Sequence, residues 1–284
     1  MVKAKIVIVD DSSFSVAFIR NILESNGFEV VGSAGTLAEV KEVVKEKQPT
    51  LVTMDMTLPG TDGFECIQAI REIDKSIKVI VISSMMDDEI VKKANDNKVS
   101  AYIQKPVDSD ELITAINRVI ASEELYELLK NEYFSVFKEA LLDGLNRMTK
   151  NLLTYKEEYS SKKEYESQGM TIIMGIIGKF SGRMLFDLST ETANKISAAI
   201  LRREPANKDE ITAVMGEFAN IVSGNACSIL NRKNKAFGFR VAPPTILHGE
   251  SVLISAPSFD TLAVMADTAF GKILLNVGFQ GGVE

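Results

Sequence analysis

Short, solidly apolar runs rich in β-branched residues recur through the first 121 residues, each followed by a stretch of helical periodicity. Ile6–Val9 reads IVIV and Val79–Ile82 reads VIVI, the unbroken pattern of strands buried on both faces. Strands are predicted at Ile6–Val9, Phe28–Ala34, Leu51–Met54, Val79–Ile82 and Ala101–Ile103. Helices are predicted at Ser12–Ser25, Leu37–Glu46, Phe64–Glu72, Glu89–Asn97 and Asp108–Ile120. Ser12 or Ser13 can cap the first helix, Gly27 stops it, and Asp108 or Ser109 can cap the last. Phe14, Phe18, Ile19, Ile22 and Leu23 share one face of the first helix, and Phe14 and Phe64 read as core residues. Repeated βα units of this kind build an α/β domain, a parallel sheet with helices on both faces.

In such sheets ligands bind beyond the carboxyl ends of the strands. The residues predicted there are Asp10, Asp11, Asp55, Ser83 and Lys105. Three carboxylates at one sheet edge repel each other. A hard divalent cation relieves that repulsion, and Mg²⁺ suits one or two carboxylates plus a phosphate. A lysine and a hydroxyl beside it are the donors a phosphoryl group needs. A central carboxylate can act as nucleophile and become an aspartyl phosphate.

VDD, MDMTLPGTDG, the VISS strand end and the QKP triplet resemble the CheY-like receiver domain of two-component response regulators. The resemblance covers residues 1–121 and implies a flavodoxin-like (βα)5 fold. It also implies that Asp55 is the phosphoacceptor, supplied by a sensor histidine kinase. Asp11 and Asp55 would bind Mg²⁺ directly, Asp10 mostly through water, and Thr57 through its carbonyl. Ser83 would be the switch hydroxyl and Lys105 the phosphate-binding lysine, before a cis Pro106. Tyr102 would be the aromatic that turns inward when Ser83 follows the phosphate. One departure is Ser84, where the family usually has Ala or Gly, which implies altered autodephosphorylation.

At about 150 residues per domain, 284 residues make two. The chain is acidic, −7 overall, with −5 in the first 121 residues and −2 in the rest. Neither part has the basic excess of a typical nucleic-acid-binding domain, and no helix-turn-helix or basic arm is evident, which disfavours a transcription factor. Cys66 and Cys227 form no CxxC pair and His248 is the only histidine, which argues against a disulfide framework or zinc cluster. The start, MVKAKIVIVDD, reaches acids too soon for a signal peptide, and no apolar run approaches about 20 residues. A soluble cytoplasmic protein, without membrane or nucleic-acid partners, is expected.

No Gly or Pro occurs between Val107 and Asp143, and Glu123–Lys150 has helical periodicity, so residues 122–150 read as a helical connection leading into a second domain, 125–284. There, Tyr155–Gln168 is polar and reads as either disorder or a solvated strand or hairpin. Met170–Ile177 and Arg183–Leu188 read as a hairpin, Ser189–Leu201 and Asn207–Asn231 as helices. Strands are predicted at Thr245–His248, Ser251–Ala256, Leu262–Ala266 and Lys272–Phe279. Mixed elements without βα alternation indicate an α+β domain.

The helix over Ile211–Leu230 has an apolar stripe of Ile211, Val214, Phe218, Ile221, Val222 and Ile229, which must pack on the sheet. Off that stripe, Glu217 and Asn220 are neighbours three apart, ringed by Ala213, Gly216 and Gly224. Such small residues permit close approach by another surface. GEFANIVSGNA followed by VAPPT resembles the CheX/CheC/FliY family of receiver phosphatases, CheX most closely. The family's Glu-x-x-Asn falls on Glu217 and Asn220, and its proline on Pro243, with 22 residues between. Ala213 departs from the Asp or Ser often found there. Asp143-Gly-Leu-Asn146 in the preceding helix is in the wrong setting for a second motif. The resemblance implies a phosphatase for phosphorylated CheY-type receivers in chemotaxis, with Glu217 and Asn220 catalytic, and a homodimer through sheet edges. The alternative reading is a phosphorylation-controlled dimerisation or interaction module without activity. The helical connection makes a reaction within one chain harder, which favours another molecule as substrate.

Overall fold

The computed structural model describes every residue except 1–3, 85–92, 94–96, 98, 162–163 and 282–284. The chain forms two compact units, Met1–Glu124 and Leu125–Gly282.

The first unit is built from β1 (Lys5–Val9), α1 (Ser13–Ser25), β2 (Glu29–Ala34), α2 (Leu37–Lys47), β3 (Leu51–Asp55), the short strands β4 (Thr57–Leu58) and β5 (Thr61–Asp62), α3 (Gly63–Ile73), β6 (Lys78–Ser83), β7 (Ala101–Gln104) and the start of α4 (Ser109–Thr149). The order β2-β1-β3-β6-β7, parallel throughout, is the flavodoxin-like sheet. One core lies on each face, with Val7, Val9, Val52 and Met54 on one side and Ile6, Ile8, Leu51 and Ile80 on the other. The expected helix Glu89–Asn97 lies largely outside the described residues.

Each helix start has a local cause. Ser12 Oγ accepts from Ser15 N–H, Thr36 Oγ1 from Glu39 N–H, and Asp62 Oδ1 from Glu65 N–H. Asp108 caps α4 by accepting from Glu111 N–H at 2.9 Å. Gly27, at φ +84, ends α1 in the left-handed region that glycine favours.

Phe14 corrects the sequence expectation. It is 79% exposed, Phe18 is exposed too, and their rings stack on each other. Ile19, Ile22 and Leu23 take the core-facing side of α1, which leaves no buried arc for the two phenylalanines. Phe64 does pack against a core cluster, as expected.

The second unit continues from α4 through β8 (Leu153–Tyr155), β9 (Tyr159–Ser161), β10 (Tyr165–Ile177), β11 (Gly182–Ser189), α5 (Thr190–Leu201), α6 (Lys208–Lys233), β12 (Arg240–Val241), β13 (Thr245–Ile254), β14 (Thr261–Thr268) and β15 (Gly271–Phe279). Its antiparallel sheet runs β12-β10-β11-β15-β14-β8, with β13 also on β10 and β9 on β14. This is an α+β arrangement. The polar stretch Tyr155–Gln168 supplies β9 and the start of β10, as the strand alternative expected. A buried carboxylate anchors that start: Asp187 accepts from Ser167 Oγ at 2.8 Å, Thr171 Oγ1 at 2.7 Å and Gln168 N–H at 3.0 Å. The two strands expected at Thr245–His248 and Ser251–Ala256 are one strand, β13. Gly249 and Ser251 adopt positive φ, so pairing with β10 continues past them with a register shift opposite Glu166–Gln168.

One glycine fixes how α3 leaves the sheet. A Cβ on Gly63 would stand 2.7 Å from Asp55 O and 2.8 Å from Met56 Cα, both backbone. Gly63→Ala is expected to destabilise the first unit by about 1–3 kcal/mol. The check is native-state hydrogen exchange of β1 and β3 amides, and unchanged protection would contradict the packing assigned to Gly63.

Candidate functional site

β1 and β3 are neighbours where the strand order reverses, and the crevice beyond their carboxyl ends is the binding position of this fold. Asp10 follows β1 and Asp55 ends β3, at 4% and 7% exposure. Each carboxylate is held at both oxygens. Asp10 Oδ1 accepts from Ser12 N–H at 2.9 Å and Asp55 Oδ1 from Thr57 N–H at 3.2 Å. Lys105 Nζ donates to Asp10 Oδ2 at 3.0 Å and to Asp55 Oδ2 at 2.7 Å. Asp11 is exposed at the rim, and carboxylate oxygens of Asp10, Asp11 and Asp55 all lie within 4.8 Å of one another.

Ser83 ends β6 at 1% exposure, and its carbonyl accepts from Lys105 N–H at 2.8 Å. The Lys105–Pro106 bond is cis. Tyr102, on β7, is half-buried and packs against a core cluster, while Thr57 and Ser84 are exposed.

The electrostatics are lopsided. Three carboxylates face one ammonium, leaving two negative charges uncompensated. Such a set of hard oxygen donors fits Mg²⁺. Burial by itself pulls the Lys105 ammonium down, but its hydrogen bonds and charge contacts with Asp55 and Asp10 outweigh that and hold it above the usual lysine range.

The second candidate lies on α6. Asn207 caps the helix by accepting from Glu210 N–H at 2.9 Å, and Glu210 reaches back to accept from Ala206 N–H at 2.6 Å, one residue before the cap. Arg203 pairs with the same carboxylate, and these contacts lower Glu210 to about 2. Ile211, Met215, Phe218, Ala219, Val222, Ala226 and Leu230 are buried, and Phe218 stacks on Phe186 of β11. The expected stripe is therefore turned: Val214, Ile221 and Ile229 are only half-buried. Glu217, Asn220 and Ala213 are exposed, as expected.

Gly216 has a different use from the one expected. It is buried, and a Cβ there would stand 3.2 Å from Ile246 Cδ1 and 3.6 Å from Pro244 Cγ. It admits this unit's own β13, not an outside surface. Pro243 is exposed beside Pro244, and Ala242 N–H donates to Gly175 O at 2.8 Å, tying this segment to β10. Asn231 clamps the residue leading into it, donating to Phe239 O and accepting from Phe239 N–H.

Sequence reasoning missed the backbone N–H groups of Ser12 and Thr57 that aim the two buried carboxylates. It also missed Thr212, whose Oγ1 lies 3.2 Å from His248 Nε2 and ties α6 to β13. The serine and threonine two residues after each acid are turn formers, and that was the available signal.

Known proteins resemble both units. The family described as "Response regulator receiver domain" matches residues 6–117, and "Chemotaxis phosphatase CheX" matches residues 170–266. The chemotaxis protein CheY of Bacillus subtilis is 39% identical over 116 residues, 41% of this chain and 97% of that protein. A crystal structure of a chemotaxis protein CheX from Desulfovibrio desulfuricans aligns over 52% of this chain and 99% of its own, at 21% identity and TM-score 0.48. A structure of a CheX–CheY–BeF₃–Mg²⁺ complex from Borrelia burgdorferi contains a chain aligned over 41% of this one and 89% of its own, at 31% identity and TM-score 0.40.

Lys105 generates a pH expectation. Its folded value is raised, so its contribution is complete below the ordinary 10.5 and fades only as pH climbs through the higher folded value. Lys105→Met leaves two buried carboxylates without their cation, at a cost of roughly 1–3 kcal/mol. The stability gap between wild type and Lys105→Met should stay constant between about pH 6 and 9. A gap that shrinks across that range in urea titrations would contradict the assignment.

Proposed function

Because the chain belongs to the response regulator receiver family and carries a CheX domain behind the receiver, we propose that it accepts a phosphoryl group on Asp55 and hydrolyses the aspartyl phosphate of receiver proteins in chemotaxis signalling. The observation that carries this reading is the exposure of Glu217 and Asn220 side by side on α6, in a chain whose other unit holds the acceptor cluster.

Phosphorylation begins with Asp55 attacking the phosphorus of a donor, a sensor histidine kinase's phosphohistidine, whose imidazole leaves. Lys105, which donates to Asp55 Oδ2, would neutralise a phosphoryl oxygen. Ser83 supplies the second donor, and Tyr102 follows it inward. Asp11 and Asp55 would hold Mg²⁺, with Asp10 through water and the Thr57 carbonyl; the ion supplies further charge neutralisation at the phosphoryl oxygens.

Hydrolysis needs one water in line with phosphorus. Its oxygen bonds to phosphorus, the aspartyl oxygen leaves as carboxylate, and the water's proton ends on the phosphate released. The Asn220 amide, both donor and acceptor, orients that water. Glu217 pairs with the substrate receiver's lysine and seats α6 over the site. Neither residue becomes a nucleophile.

Among the described residues β13 pairs with β10 alone, and the homodimer would form through such a sheet edge. Among the described residues no helix is long and apolar enough to cross a membrane.

Asn220→Ala should slow the accelerated decay of a phosphorylated receiver by about 100-fold or more, with folding intact because the side chain is exposed; decay equal to wild type would sink the proposal. Mg²⁺ at 100 times its dissociation constant should stabilise the first unit by about 2.7 kcal/mol, a gain that Asp11→Asn should largely erase. Equal thermal shifts in both proteins would remove Asp11 from the site.

A further inference from the structure

We propose that Gly224 is the clearance through which a phosphorylated receiver reaches Asn220, so that this glycine sets affinity for the substrate; the proposal rests on the reading of Glu217 and Asn220 above. The helix glycines around the core have visible uses inside the unit. Gly216 admits Ile246 and Pro244, and a Cβ on Gly144 of α4 would stand 3.0 Å from Val222 Cγ2. Gly224, half-buried, has no such neighbour: beyond its own helix backbone and the two residues flanking it, nothing lies within 4 Å of where its Cβ would be. It sits inside α6, where alanine is the better helix former. Folding alone therefore favours a methyl group at this position, and its omission answers to something outside the fold.

Position says what that is. Gly224 is four residues from Asn220 and seven from Glu217, on the same side of the helix, about 6 Å along the axis from Asn220. The acceptor carboxylate of a receiver is recessed: in this chain Asp55 is 7% exposed, below the exposed rim residues Asp11 and Thr57. An amide on a helix reaches a phosphorus at that depth only if the helix backbone presses against the rim. Gly224 permits that contact one turn beyond Asn220. The occupant is the rim of an Asp55-type site on a second receiver, whether another copy of this chain or a separate CheY-like protein.

The test uses full-length chain at substoichiometric amounts and two substrates freed of phosphodonor. One is the full chain carrying Asn220→Ala, phosphorylated on Asp55. The other is phosphorylated Bacillus subtilis CheY. Gly224→Ala should raise the thermal midpoint and lower kcat/KM for an accepted substrate about tenfold or more, because a helix held off the rim loses both its seating and the reach of Asn220. Gly224→Leu should lower kcat/KM further. If wild type accelerates decay of either substrate and Gly224→Ala has an unchanged kcat/KM, the clearance is overturned while the phosphatase reading stands. A lowered thermal midpoint would show that the glycine serves the fold, which also overturns it. If wild type accelerates neither substrate, the phosphatase reading falls and the clearance falls with it.

Discussion

Lys105 bridges two buried carboxylates that close neighbouring strands, and the arrangement of the first unit serves that contact. Asp10 and Asp55 stand side by side only because β1 and β3 are adjacent and parallel. Lys105 arrives from the far edge of the sheet, beyond β7. Without its charge, two desolvated anions would repel across the crevice. The backbone N–H groups of Ser12 and Thr57 hold the other oxygen of each carboxylate, so the acids are aimed as well as neutralised. Even so, negative charge remains in excess, and that excess gives the cluster its capacity for a divalent cation.

The second unit is organised around keeping one helix still. The Asn207 cap and the return contact of Glu210 to Ala206 N–H fix where α6 begins. Phe218 on Phe186, Gly144 under Val222 and Gly216 under Ile246 fix its rotation. With its rotation set from three sides, α6 presents Glu217 and Asn220 to solvent as neighbours on one side of the helix. Positioned groups of that kind suit a hydrolysis in which the substrate already holds most of the charged machinery.

The first unit was largely legible because its chemistry sits at strand ends, where residue type and order are visible without geometry. Asp10, Asp11, Asp55 and Lys105 could be grouped from the βα alternation alone. What could not be read was which apolar side chains a helix buries. α1 carries a wider apolar face than its contact with the sheet covers, so Phe14 stays outside. On α6 the error ran the other way. Ala219, Ala226 and Gly216 are buried because neighbouring elements approach closely, and hydrophobicity ranks such small residues too low to predict it. Gly249-Glu250 looked like a break in a strand, yet a positive φ at Gly249 and Ser251 lets the ladder run on.

The central claim is that one chain carries a phosphoryl acceptor and a catalyst that removes phosphoryl groups from acceptors of the same kind. Counting inorganic phosphate released per molecule of this protein, from a large excess of phosphorylated receiver, tests it most directly. Many phosphates per molecule, released faster than the receiver decays alone, is the expected result. Release that never exceeds the unassisted rate, with the receiver nonetheless bound, would leave a binding module and contradict the claim.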